Sequence, residues 1–114
     1  MNEPELISDA FQTFVRETPR QSQVWMGAVQ ALGAASALDQ KTAALAYIAV
    51  LAALRLVSGV PFHVTHAKSL GATRDEVASA VLLGLPAAGN GVTQALPAAL
   101  AAWDAAGSQH VESR

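Results

Sequence analysis

The sequence predicts a single all-α domain, and three observations predict it. Apolar residues recur at helical spacing, helix-start and helix-stop residues punctuate those stretches, and no run alternates with the period of two that marks a strand. At 114 residues the chain is long enough for one core and too short for two. Residues 1–114 are therefore read as one unit of about six helices ending in a polar tail at 108–114.

Leu6, Ile7, Ala10, Phe11, Phe14 and Val15 fall on one side of a first helix, which should end near Thr18 because Pro19 disfavours α geometry in the residue before it. A second helix is expected from Gln21 to Leu32, with Val24, Trp25, Val29 and Leu32 inward and a loosening at Gly33. Asp39 is the expected N-cap of a third helix, its carboxylate accepting the free N–H groups of the first turn. From Ala43 to Leu54 that helix is apolar on every side, so it should be surrounded by protein and end around Val57-Ser58-Gly59. Pro61 suits the first turn of a short fourth helix, and Gly71 its C-terminal cap.

Thr73 and Glu76 form a capping box that starts a fifth helix, with Val77, Ala80, Val81 and Leu85 inward and Gly84 on the same face for close packing. Pro86 and Gly89-Asn90-Gly91 interrupt the pattern, and a last helix from Val92 to Ala105 should be kinked at Pro97 and bury Leu96, Ala99, Leu100 and Trp103.

Composition narrows the function classes. The chain is 52% hydrophobic and only 14% charged, against about 25% charged in a typical soluble domain. So little charge cannot cover a small monomer, which leads to the expectation of a homo-oligomer. A net charge of −2 with scattered Lys and Arg gives no reason to expect nucleic acid. Without cysteine, disulfides, thiolate metal sites and thiol peroxidase chemistry are excluded. Met1 to Asp9 has no basic or apolar leader pattern, which points to the cytoplasm. The Ala43–Leu54 stretch falls short of the ~20 apolar residues of a membrane span, so no membrane partner is expected.

His63 and His66 are three apart and share a helix face that Ala67 and Leu70 extend inward. Three roles are open to them: a hydrogen-bonded core or interface histidine, a general acid/base tuned by partial burial, or half of a metal site lacking a neighbouring carboxylate. Tyr47, the single tyrosine, needs a hydrogen-bond partner if buried and is otherwise a donor to substrate. Arg55 and Ser58 follow the apolar helix, where Arg55 fits a dipole-favourable cation, an interface ion pair or an anion-binding group. Lys68 and Asp75 read as solvated charges, and Gly89-Asn90-Gly91 as a loop without phosphate-binding spacing.

Leu38-Asp39-Gln40-Lys41-Thr42, an apolar helix, a break, His63 on a short helix with Ala67, then Gly71-Ala72-Thr73-Arg74-Asp75-Glu76-Val77 together resemble the carboxymuconolactone decarboxylase and alkylhydroperoxidase D family, over about residues 25–103. The resemblance implies an all-helical subunit that forms dimers or hexameric rings, with its active site beside the histidine helix near a subunit contact. The peroxidase branch uses a Cys-x-x-Cys pair, a histidine and an upstream glutamate. On this chain the histidine falls on His63, the cysteines on Leu56 and Gly59, the glutamate on Ala44, and a second histidine position on Ser58.

Peroxide reduction by that thiol route is therefore ruled out. The decarboxylase branch needs no thiol, metal or organic cofactor. It implies a lyase acting on a small organic acid or lactone, with His63 as general acid/base and His66, Ser58, Arg55 and Tyr47 positioning substrate. The alternatives are a non-catalytic helical oligomer and a small-ligand or metal-binding protein.

Overall fold

The computed structural model describes residues 7–112, with side chains described to residue 106. Among these residues there is no strand, and six α-helices of nine residues or more carry the fold. They are α1 (Asp9–Glu17), α2 (Pro19–Ala35), α3 (Gln40–Ala53), α4 (Val60–Ser69), α5 (Arg74–Leu82) and α6 (Leu96–Glu112). A single turn, Leu85–Ala88, and 3-10 segments at Val57–Gly59 and Asn90–Ala95 complete it. Met1 to Leu6, including the expected start of the first apolar face, lie outside the described residues.

Local hydrogen bonding sets most boundaries. Ser8 caps α1 by accepting from the Phe11 N–H at 3.2 Å, so Ile7 precedes the helix instead of belonging to it. Pro19 ends nothing beyond Thr18: it occupies the first turn of α2, where its missing N–H has no partner to lose. Gly33 does not loosen that helix, which runs on to Ala35. Asp39 caps α3 as expected, accepting from the Thr42 N–H at 2.8 Å.

Two helices end in the same left-handed turn. After α4, Gly71 (φ +100°) lets its own N–H reach the Lys68 carbonyl and the Ala72 N–H reach the Ala67 carbonyl, each at 3.0 Å. After α3 the equivalent residue is Arg55 (φ +61°), with Arg55 N–H to Ala52 at 3.1 Å and Leu56 N–H to Leu51 at 2.9 Å. The third helix thus stops at Ala53, before the Val57-Ser58-Gly59 end read from sequence.

The Thr73–Glu76 capping box is complete in both directions, with Glu76 N–H to Thr73 Oγ1 at 3.0 Å and Thr73 N–H to Glu76 Oε1 at 2.9 Å. Leu85 falls in the separate single turn and not on α5. Gly84 is not needed for close packing, since a Cβ there would meet Ala53 and Val92 at ordinary distances of 3.7 and 3.8 Å. Pro97 sits in the first turn of α6, because Asn90–Ala95 is 3-10; it starts that helix and kinks nothing. The α6 backbone continues past Ala105 to Glu112, through much of the expected polar tail.

Helices α3, α4, α5 and α6 enclose a core of small side chains, with Ile48, Val64, Val77 and Val81 fully buried and Ala67 and Ala99 letting the helices approach. Lys68 is no solvated charge: its Nζ donates to the Trp103 carbonyl at 2.8 Å and lies 3.5 Å from the Trp103 ring centroid.

Two expectations about burial fail for one physical reason. Val24, Trp25 and Leu32, expected inward, are 75%, 55% and 71% exposed, and Val29 is exposed as well, because α2 packs against α1 and presents its other faces outward. Helix α3 is covered on one side by the core, while Tyr47 and Val50 on it and Leu54 at its end face out. One subunit leaves apolar helix faces uncovered.

Candidate functional site

Pro61 starts α4, and its second turn carries His63 against the outward side of α3. The His63 ring lies 4.5 Å from the Tyr47 ring, centroid to centroid, tilted by 46°. Phe62 also contacts it, its centroid 5.2 Å away and its plane nearly perpendicular at 82°. The half-buried imidazole thus touches two aromatic rings.

That environment sets its charge. Burial pushes the His63 pKa below its ordinary 6.5, and the nearby His66 pushes it further the same way. His63 is consequently a neutral imidazole at neutral pH, able to take a proton. No hydrogen bond holds either ring nitrogen among the described residues, which leaves both free for a ligand.

The sequence candidates separate in space. Tyr47 and His63 come together, although nothing in the sequence links positions on two different helices. Tyr47 is 49% exposed, so it is not the buried phenol that would require an internal partner. His66 is exposed and His63 only partly buried, because the inward stripe of the helix runs through Val60, Val64 and Ala67, not through the histidine pair. Ser58 is exposed on the 3-10 turn before α4. Arg55 directs its guanidinium onto Gly91 and makes no ion pair among the described residues.

Phe62 was missed from sequence, where it is one more apolar residue beside a histidine. The Arg55–Gly91 contact was missed too, since Gly89-Asn90-Gly91 reads as an ordinary loop.

Other features lie elsewhere. An open groove of about 440 Å³ between α3 and α5 is lined by Thr42, Leu45, Ala46 and Ser79 among others, and none of the five candidates reaches it. Its acid Glu76 is already engaged by Lys41 at 2.9 Å and by the capping box. Among the described residues, no three His, Cys, Asp or Glu side chains converge where they could hold a metal ion. No helix among them is long and apolar enough to cross a membrane.

The sequence matches the profile of the carboxymuconolactone decarboxylase family over residues 19–106. Comparisons with curated proteins and with solved structures returned no match. The positions that carry the peroxidase thiols in the resembling branch hold an exposed Leu56 and a Gly59 packed near Leu51, and the relay-glutamate position holds the buried Ala44.

Proposed function

The chain belongs to the carboxymuconolactone decarboxylase family, and from that premise we propose that it is a cofactor-independent lyase on a small organic acid or lactone, with His63 as its general acid/base. The observation that carries this reading is the half-buried His63 ring in contact with Tyr47 and Phe62, neutral at rest and without a hydrogen-bond partner among the described residues. A structural histidine is normally hydrogen-bonded, whereas one that shuttles protons keeps a nitrogen open and a pKa within reach of neutrality.

In the proposed reaction the carboxylate carbon leaves as carbon dioxide. The electron pair of the broken C–C bond passes through the ring double bond into the conjugated lactone carbonyl as a dienolate. The proton that His63 has taken up is then delivered to the carbon beside that carbonyl, regenerating the neutral imidazole. An incoming carboxylate favours the charged form of a neighbouring imidazole, so binding itself loads the acid. Tyr47, half-exposed with its ring against His63, supplies a hydroxyl for orienting substrate.

We extend the proposal to a homo-oligomer. The uncovered apolar faces of α2 and α3 support it, and a second subunit packed there would also shield His63 from water.

The test is carbon dioxide release from carboxymuconolactone and a panel of related lactone acids. The expected result is release that His63→Ala lowers by about 10²-fold or more. Full turnover by His63→Ala on a substrate that the unaltered protein accepts would remove His63 from the chemistry.

A further inference from the structure

Helices α3 to α6 pack on one another in the core, whereas α1 and α2 pack chiefly on each other. Along α2 Ser22 alone is buried, while Val24, Trp25 and Leu32 are each more than half exposed. A helix of 17 residues has little stability in water on its own, and its large apolar side chains contribute nothing until something covers them.

The exposed residues of α2 are ordered. Arg20, Val24, Ala28 and Leu32 recur every four positions and form one ridge, charged at its start and apolar beyond. Arg20 is the only charged residue of this helix, and it makes no hydrogen bond or ion pair among the described residues.

The groove between α3 and α5 is ordered the same way. One wall presents Thr42 and Ala46, a row of exposed residues that Val50 and Leu54 continue; the other presents Asp75, Ser79 and Leu83, also exposed and four apart. The Lys41–Glu76 pair joins the starts of the two helices, so both rows run from a polar head to an apolar foot. At the head Asp75 makes no hydrogen bond or ion pair among the described residues, and midway Ala46 and Ser79 are small enough to admit a ridge between the walls. The ridge from Arg20 to Leu32 and the row from Thr42 to Leu54 have the same length, about 18 Å along the helix axis.

We propose that the α2 ridge of one copy seats in the α3–α5 groove of a second copy, with Arg20 against Asp75 at the head and Leu32 against Leu83 and Leu54 at the foot. The charge sets the direction and register of the helix, and the apolar residues supply the burial. This seating rests on the homo-oligomer proposed above and gives it a mode: the copies hold each other by an arm that no core of their own covers.

Self-association is read by light scattering on dilution of the full chain without substrate, which keeps it independent of the His63 chemistry. Arg20→Glu and Asp75→Lys should each weaken association by about tenfold, because like charges then meet at the head of the groove. The two together in one chain should restore it to within about threefold of the unaltered protein, a rescue that damage to the fold would not give. Circular dichroism should show unchanged helix content in all three, since both positions are exposed.

Because the chain has no cysteine, a second readout is clean. Val24→Cys protein mixed with Ser79→Cys protein should form a disulfide-linked pair on oxidation, and neither should do so alone. Association that ignores both charge reversals, or a Val24→Cys protein that links to itself, would overturn this seating and leave the homo-oligomer standing. A chain that is monomeric at high concentration would overturn both.

Discussion

Burial disfavours the charged form of the His63 ring, and the nearby His66 disfavours it further, so the imidazole is held below its ordinary pKa. This has a consequence for stability. The folded pKa lies below the ordinary 6.5, so between the two values the unfolded chain binds more protons than the folded one. The His63 contribution is fully present above pH 6.5 and is lost as pH falls through that value toward the depressed one.

Urea unfolding at about pH 7.5 and about pH 5.5 should therefore show a loss of stability on acidification that His63→Gln reduces. The carboxylates Asp39, Glu76 and Asp104 are held below their ordinary values by hydrogen bonds, and their losses belong to more acidic solutions. At this scale the sequence showed that a histidine was present and that helix geometry grouped it with Ala67 and Leu70. It could not show Tyr47 beside it, because that pairing depends on how the Arg55 turn returns α4 against α3.

Elements whose ends rest on hydrogen bonds a few residues long were readable in advance. Asp39, Gly71 and the Thr73–Glu76 box each satisfy or free groups within the same turn, so sequence spacing alone specifies them. Thr73→Ala should cost about 1 kcal/mol of stability through loss of the cap. Gly71→Ala should cost about 1–2 kcal/mol because φ +100° admits no Cβ comfortably. Both are measurable by denaturant unfolding. The α3 end was misplaced because an arginine in a glycine role gives no sequence signal, and Pro97 was misread because the 3-10 segment before it is not distinguishable from α by apolar spacing.

For the whole molecule, the periodic apolar face of α2 identified residues that avoid water but not what covers them. Val24, Trp25, Val29 and Leu32 have the pattern of buried residues, yet in one chain they face outward. Burial within a subunit and burial between subunits leave the same mark on a sequence. If a second copy covers this face, the unaltered protein should elute as an oligomer by light scattering, and Trp25→Glu with Leu32→Glu should shift it toward monomer while leaving helix content in place. An unaltered protein that is monomeric at high concentration would contradict that assembly.

Whether His63 is a neutral imidazole that gains its proton when an acid arrives is tested most directly by NMR titration of the His63 ring protons. The predicted result is a pKa below 6.5 in the free protein that rises when a lactone acid is added. A His63 pKa at or above 6.5 in the free protein, or one that no acid moves, would contradict it.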